Sequence, residues 1–249
     1  MYKLQGNDIQ KAKGLFEKYT SNQSVIFSVF ENQLNGCVYV DDIDEMNWAL
    51  LQTPVYQHFI AGNQTEGCAD EIENTLFNVI LNEQVEKEIV VFSDTDNWHN
   101  VLREVFQKHN GVSDSRKIFD FSHKSFREAV RPKLQDGAKV LLDKRVVLPF
   151  SNFETWTAKV IVDGQTASHC DAIMAGKGKA EIDIGTEEAF RGNGYAKAAA
   201  FALIDKLLSE GLTPAWSAWP YRLESQHIAK KLGFISAPDA KAWIWQAGM

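Results

Sequence analysis

The sequence predicts an α/β chain of the α+β kind, in which a mixed, mostly antiparallel sheet flanked by helices is preceded by a smaller α/β domain. The first half of the chain alternates helical and extended patterns. The second half contains a hairpin pattern around Asp163-Gly164, then a strand, a glycine-rich loop and a long helix. Strands that are joined by a tight turn are antiparallel. With 249 residues the chain has room for two domains, and we expect them at residues 1–115 and 116–249.

The N-terminal domain is predicted from the spacing of its apolar residues and from its turn dipeptides. The expected elements are a helix over residues 7–20, a hairpin in which Val25–Phe30 and Cys37–Val40 flank Asn35-Gly36, a helix through Ile72 and Ile80, a strand at Ile89–Phe92, and a helix capped by Ser93 or Asp94. None of these patterns carries chemistry. The role of residues 1–115 is left open between a lid and a part of an acceptor site.

The C-terminal domain shows clearer alternation and clearer turn signals. Its expected elements are a strand at Lys117–Phe121, a helix at Lys124–Val130, a hairpin over Ala158–Ala175, a strand at Ala180–Thr186, a helix from Tyr195 to the stop at Gly211, a strand at Thr213–Trp219, a helix at Ser225–Leu232, and a final hairpin within Ile235–Gln246. This order places a glycine-rich loop between a strand and a helix.

Composition limits the classes of function. The net charge is −7 and the apolar fraction is 45%, which fits a globular enzyme and argues against a nucleic-acid partner. The longest apolar stretch, Ala198–Ile204, is too short for a membrane span. Cys37, Cys68 and Cys170 lack disulfide or zinc spacing, so we expect three buried thiols in a cytoplasmic protein. The six histidines show no metal-binding spacing either, and we expect no metal.

The loop Arg191–Ala196 is the strongest functional signal. Gly192 and Gly194 accept backbone conformations that other residues avoid, and they let main-chain N–H groups converge at a helix N-terminus. Such a loop suits a phosphate, although a simple strand-to-helix turn is the alternative. The loop lacks the Gly-Lys-Ser/Thr of a Walker A motif, and Lys197 occupies the third glycine position of a dinucleotide fingerprint.

Two motifs together resemble the GNAT superfamily of acetyl-CoA-dependent N-acetyltransferases. Arg191, Gly194 and Ala196 match its R/Q-x-x-G-x-G/A loop, and Lys231-Leu232-Gly233-Phe234 matches the K-L-G-F that often ends a later helix. The segments 212–218 and 225–234 are most similar to the group that contains the zwittermicin A resistance protein. The resemblance implies a GNAT-like fold and an acyltransferase that uses acetyl-CoA as co-substrate.

The resemblance also implies where acetyl-CoA binds. Its pyrophosphate is expected on the loop, and its pantetheine arm along the strand before it, with Ser225 as a further contact. The implied cofactor-binding residues are Ile184, Gly185, Thr186, Arg191, Gly192, Asn193, Gly194, Tyr195, Ala196 and Ser225. The acetyl group is expected where this strand splays from Thr213–Trp219. The implied reaction is direct attack, in a ternary complex, by an amine of a small molecule, with antibiotics among the candidates.

Candidate proton-transfer groups lie on the strand before the loop. Alternation puts Glu181 and Asp183 on one face, where they could deprotonate the amine or bind it as a cation. The alternative is that this face meets solvent or pairs with Lys or Arg. Between the two carboxylates, Glu181 is the preferred base. His169 could face the same cleft or have a structural role.

A general acid is harder to assign. The position at which many relatives carry a tyrosine is Ala229. His227, Tyr221 or water could protonate the leaving thiolate, or the thiolate could leave without help. Among the side chains, His227 is the preferred candidate.

The sequence leaves several alternatives open. Trp216, Trp219, Trp243 and Trp245 could form an aromatic wall for a substrate or pack in the core. The chain could also be an acyl-CoA sensor without turnover, or an interaction domain whose loop is only a turn. A homodimer is compatible with the sequence and not indicated by it.

Overall fold

The structure is a computed structural model that describes residues 1–84, 87–149, 151 and 153–248. Its elements, in chain order, are β1 (Tyr2–Leu4), α1 (Lys13–Phe16), α2 (Gln23–Phe30), β2 (Cys37–Val40), β3 (Trp48–Gln52), β4 (Gln57–Gly62), α3 (Cys68–Glu73), α4 (Leu81–Glu83), β5 (Glu88–Ser93), α5 (Asp96–Lys108), β6 (Val112–Phe121), α6 (His123–Glu128), β7 (Ala138–Arg145), β8 (Thr155–Val162), β9 (Gln165–Gly176), β10 (Lys179–Thr186), α7 (Tyr195–Ser209), β11 (Thr213–Ala218), α8 (Leu223–Lys231), β12 (Phe234–Ser236) and β13 (Ala240–Gln246). A 3₁₀ helix at Gly6–Ala12 precedes α1, and another at Glu188–Phe190 precedes α7. A π-helical segment, Asn74–Ile80, joins α3 to α4.

The chain forms two compact units. The first contains Met1–Arg116 and Asp239–Met249, and the second contains Lys117–Pro238. In the first unit the strands lie in the order β1-β2-β3-β4-β5-β13-β6, and β4 and β5 are the parallel pair. Its apolar core includes Trp48, Trp98 and Phe106, all fully buried.

The second unit has a mixed sheet in which antiparallel pairs prevail. The order is β7-β8-β9-β10-β11-β6, with β12 on the far side of β6, and β10 and β11 are the parallel pair. Helix α7 covers one face of this sheet, and its alanines Ala198–Ala200 allow close packing on β8, β9 and β10. The predicted fold class, a mostly antiparallel sheet flanked by helices, is confirmed.

Most predicted elements are present, but the hairpin around Asn35-Gly36 is wrong. Residues Gln23–Phe30 form α2, and every residue from Ser24 to Phe30 is buried. A short helix that is buried on all sides has no exposed face to impose a helical periodicity, so its sequence cannot be told from that of a buried strand. Gly36 is required for a different reason: a Cβ there would lie 2.7 Å from the Gln52 carbonyl oxygen.

Three further details differ from the prediction. The predicted final hairpin is wrong, because β12 pairs with β6 at Phe119–Phe121 while β13 pairs with β5 and with Val112–Arg116. Thr95 caps α5, in place of Ser93 or Asp94, and its hydroxyl accepts a hydrogen bond from the Trp98 amide. Strand β7 was not predicted, since it is an edge strand whose apolar Leu141 and Leu142 are both exposed.

The cysteine and tryptophan predictions can be checked directly. Cys37, Cys68 and Cys170 are buried free thiols. Trp216 and Trp243 are core residues, 2% and 5% exposed, rather than parts of an aromatic wall. In the described residues no helix has the length and apolar character needed to cross a membrane.

Candidate active site

A gap opens between the two parallel strands of the second unit. Only Lys179–Glu181 of β10 pair with β11, opposite Thr213–Ala215. Beyond that point β10 continues along β9 as far as Thr186, and β11 continues along β6 as far as Ala218. The two strands therefore diverge while each keeps its outer partner, which leaves main-chain groups of β10 facing the gap.

A β-bulge lies at the start of the gap. Glu181 is opposite Met174 and Ile182 is opposite Ala172, so Ile173 is the extra residue of β9. A bulge increases the local twist of a strand pair. The bulge therefore accounts for the divergence of β10 from β11 immediately after Glu181.

The glycine-rich loop has the conformation that its sequence requires. Gly192 and Gly194 have φ of 82° and 76°, and a Cβ at either position would meet nothing within 4 Å. Gly194 is the N-cap of α7, and none of the described side chains caps the helix there. The first-turn N–H groups of a 15-residue helix thus border an open surface, which is the arrangement that binds phosphate.

Side chains of the loop hold it in place. The Asn193 amide donates to the carbonyls of Phe190 and Arg191 at 3.1 and 3.3 Å. Gln135 donates to Asn193 at 3.2 Å and accepts from the Tyr195 hydroxyl at 3.1 Å. Asn193 and Tyr195 therefore stabilise the loop through their side chains. The Arg191 side chain is exposed.

Glu181 lies at the point where the two strands separate. It is 6% exposed, and its Oε1 accepts a hydrogen bond of 2.7 Å from the Ser217 hydroxyl of β11. Ser217 is two residues beyond the last paired residue, Ala215. This hydrogen bond therefore spans the gap between β10 and β11 and fixes a buried carboxylate beside it.

Asp183 and a second carboxylate follow on the same face. Asp183 is exposed, and its neighbour on β9 is Asp171, which is 5% exposed. Asp171 accepts from Arg145 Nη2 at 3.2 Å, and its Oδ2 is 3.9 Å from His169 Nε2. Arg145 thus compensates the buried Asp171 and leaves Asp183 open to solvent. Ala180 and Ile182 lie in the core on the other face, as alternation predicts.

His169 packs against the strand that borders the gap. It is opposite Gly185, and a Cβ on Gly185 would lie 2.4 Å from the His169 ring. The glycine is thus needed so that the imidazole can lie on the β10 backbone. Next to it, the Ser168 hydroxyl donates to the Gly185 carbonyl at 2.7 Å and contacts Thr186. Among the predicted pantetheine positions, Gly185 and Thr186 are therefore tied to β9.

Helix α8 carries the remaining predicted residues. The Ser225 hydroxyl accepts from the Trp216 indole N–H at 3.0 Å, which attaches α8 to β11. Ala229 is fully buried in the core, and its methyl side chain has no proton to donate. His227 and Tyr221 are both exposed.

Cys170 is adjacent to this site but unsuited to act as a nucleophile. Burial raises the pKa of its thiol well above the usual value, and the nearby Asp171 and Asp183 carboxylates raise it further. The group stays a neutral thiol at physiological pH. Over the described residues, no group of three or more His, Cys, Asp or Glu side chains could hold a metal ion.

Sequence reasoning missed Ser217, Gln135, Asp171 and Arg145. Ser217 could have been found, because alternation along β11 puts it on the face opposite Trp216. Gln135 and Arg145 lie in or beside segments with no clear pattern, so no sequence signal indicated them.

Comparison with known proteins gives a consistent family. The model of the family described as GNAT acetyltransferase matches residues 13–159 and 150–239. The uncharacterized N-acetyltransferase YdfB of Bacillus subtilis (strain 168) is 26% identical over 234 residues, covering 86% of this chain and 87% of its own.

Solved structures agree at the level of the fold. A GCN5-related N-acetyltransferase-like protein from Streptococcus suis 89/1591 superposes with a TM-score of 0.72 at 22% identity, over 96% of this chain and 98% of its own. A tandem GNAT protein from the clavulanic acid biosynthesis pathway gives a TM-score of 0.66 at 8% identity, over 100% and 99%.

Proposed function

The chain belongs to the GNAT acetyltransferase family, and on that premise we propose that it moves an acetyl group from acetyl-CoA to an amine of a small molecule, within a ternary complex. Family membership makes the chain an acyltransferase, and acetyl-CoA is the family's co-substrate. The observation that carries the proposal is the combination of an open glycine-capped helix N-terminus with a strand gap that ends at a buried carboxylate.

The cofactor-binding residues of the proposal are those of the loop and the strand before it. The backbone of Arg191–Ala196 takes the pyrophosphate, with the Arg191 guanidinium as an added cation. The main chain of Ile184–Thr186 takes the pantetheine arm along the gap. The positive φ of Gly192 and Gly194 and the open space above them support this assignment. The Ser225 hydroxyl accepts a hydrogen bond from Trp216 and keeps its own O–H and a second lone pair for the cofactor.

Glu181 is the proposed base. The amine nitrogen attacks the carbonyl carbon of the thioester, and its proton passes to the Glu181 carboxylate, directly or through water. The carbon–sulfur bond then breaks, its electron pair leaves with sulfur, and the thiolate takes a proton from water. Ala229 is buried and His227 is exposed, so we assign the acid to solvent. Asp183 binds the incoming amine as a cation.

The acceptor and the cellular compartment are also proposed. The segments 212–218 and 225–234 support an acceptor like that of the zwittermicin A resistance group. We assign transfer to the second unit, Lys117–Pro238. Three buried free cysteines fit a reducing compartment such as the cytoplasm.

The test is thiol release from acetyl-CoA across a panel of small amines, in the intact chain and in Gly194→Asp. The aspartate adds a side chain and a negative charge at the proposed pyrophosphate position, so we expect binding and release to be lost. Gly178→Asp is the matched control, because Gly178 has a φ of 71°, nothing within 4 Å of a Cβ, and a place in the β9–β10 turn. Equal acetyl-CoA affinity in the two variants would contradict the loop assignment.

A further inference from the structure

The two units have the same succession of elements. In the first, β1 to β4 are antiparallel neighbours, α3 and α4 lead to the parallel strand β5, and α5 follows. In the second, β7 to β10 are antiparallel neighbours, α7 leads to the parallel strand β11, and α8 follows. The chain therefore contains two copies of one fold.

The strands that complete each copy also correspond. Beside β5 lie β13 and then the Val112–Arg116 half of β6. Beside β11 lie the Lys117–Phe119 part of β6 and then β12. In each copy the outermost of these strands comes directly after the last helix of that copy: Val112–Arg116 follows α5, and β12 follows α8. The strand inside it comes from the segment after the outermost strand of the other copy: β13 follows β12, and Lys117–Phe119 follows Val112–Arg116. This shared connectivity is stronger evidence for duplication than the order of a few strands.

Helices α3 and α7, which follow β4 and β10, begin in the same way. Gly67 has φ 78° and ψ 0°, and Gly194 has φ 76° and ψ 7°. Both are left-handed N-caps, and a Cβ on either would meet nothing within 4 Å. The segment Gln64–Ala69 reads Q-x-x-G-x-A, which is the spacing of Arg191–Ala196. Loop sequence and loop geometry alone would therefore predict an acetyl-CoA site in each copy.

The strands next to the loops differ. In the second copy the parallel pairing ends after three residues of the eight in β10. In the first copy four residues of β4 pair with β5, as far as the last residue of β5, Ser93. Strand β4 also pairs with β3 in unbroken register, whereas β10 has a bulge against β9. The gap that follows Glu181 thus has no counterpart after Phe59.

Tyr19 occupies the point at which β4 and β5 end their pairing. Its hydroxyl is 2.7 Å from the Ile60 carbonyl oxygen and 3.0 Å from that of Phe92, one on each strand. The side chain is 2% exposed and packs edge-on against Phe59, with ring centroids 6.0 Å apart. A single buried hydroxyl therefore links the two strands that would have to part for an acyl chain to enter.

The first copy also lacks a carboxylate at the position of the proposed base, Glu181. Counting from the first parallel pair, Gln57 corresponds to Lys179 and Phe59 to Glu181. The Phe59 ring stacks on Phe92 at 5.4 Å. By the same count Phe92 corresponds to Ala215. An aromatic ring packed on the neighbouring strand therefore stands where the second copy has the Glu181 carboxylate.

From these observations we infer that the first unit is a closed copy of the transferase fold that binds no acetyl-CoA, because Tyr19 fills its cleft. The chain accordingly takes up one acetyl-CoA, at the loop of Gly194. This stoichiometry rests on the proposed function, whereas the closed cleft of the first unit does not.

Calorimetric titration of the full chain with acetyl-CoA tests the inference. We expect one equivalent bound, binding lost in Gly194→Asp, and unchanged affinity and stoichiometry in Gly67→Asp. Aspartate is tolerated in the left-handed region, and Gly67→Asn is the second variant if Gly67→Asp unfolds. Two equivalents, or binding lost in a folded Gly67 variant, would overturn the inference while the proposed function stood. No binding to the intact chain would overturn the proposed function and the stoichiometry together.

A second measurement does not depend on the cofactor. Tyr19→Phe keeps the ring and removes only the hydroxyl that joins Ile60 to Phe92. We expect a lower melting temperature, with kcat and the KM for acetyl-CoA unchanged. A large fall in kcat at an unchanged melting temperature would show that Tyr19 serves a reaction in the first unit, and the closed-copy inference would be abandoned.

Discussion

Replacing Glu181 by glutamine separates the chemistry of the proposed base from its structural role. The glutamine carbonyl oxygen can still accept the 2.7 Å hydrogen bond from Ser217. The side chain keeps its size in a site that is 6% exposed. The fold and the strand gap should therefore persist, and the variant loses only the ability to accept a proton.

The expected effect follows from the range known for general bases. Positioned bases contribute about 10²- to 10⁴-fold, or about 3 to 5 kcal/mol of transition-state stabilisation. We expect Glu181→Gln to lower kcat/KM by about 100-fold or more near neutral pH. The loss should shrink as pH rises, because the amine then loses its proton to solvent before it binds.

The assay is thiol release measured over a range of pH in both proteins. Asp183→Asn is the control, since Asp183 is exposed and is proposed to bind the amine as a cation; it should raise the KM for the acceptor more than it lowers kcat. A loss in Glu181→Gln that is the same at every pH would refute the reasoning, and Glu181 would then orient the acceptor without taking its proton.

Three further predictions concern stability. Burial lowers the pKa of His58 from 6.5 to about 3. As pH falls, the unfolded chain binds a proton at this residue before the folded chain does, so the folded state is destabilised below about pH 6.5, by about 2 kcal/mol at pH 5. Urea unfolding of His58→Gln should therefore show less acid destabilisation than that of the natural chain. Gly36→Ala should lower the free energy of unfolding by about 1 to 3 kcal/mol, because the new Cβ would lie 2.8 Å from Val29 Cγ1. Gly14→Ala in α1 is the control and should stabilise the fold, since its Cβ would meet nothing within 4 Å. Equal melting temperatures for these two variants would contradict the contact at Gly36. Arg145→Ala should destabilise the second unit by leaving the buried Asp171 without its cation, and an unchanged melting temperature would argue against that pairing.

The sequence predicts most of the second unit because its signals are local. Asp163 and Gly164 both have positive φ, as a two-residue hairpin requires, and Gly211 ends α7 with a φ of 79°. The loop at Gly192 and Gly194 is likewise a property of consecutive residues. Such features depend on backbone sterics within a few residues, so they can be recognised without knowledge of the fold.

The features that were missed depend on distant contacts. Residues 24–30 are uniformly buried, so the sequence does not separate a helix from a strand there. Gln135 contacts the loop across 58 residues of sequence, and Arg145 meets Asp171 across 26. Neither pairing has a periodicity that a single sequence could reveal, and the exchange of strands between copies has none either.

The duplicated fold explains why loop motifs alone are insufficient to locate the chemistry. Gly67 and Gly194 share a conformation, a sequence spacing and an open surface, yet only the second lies beside a strand gap. What separates them is one bulge at Ile173 and the side chains that take the place of the gap, Tyr19 and Phe59. A phosphate-binding loop is a local property of the backbone, whereas a reactive cleft requires two neighbouring strands to part. The residues that decide whether they part lie on other elements of the fold.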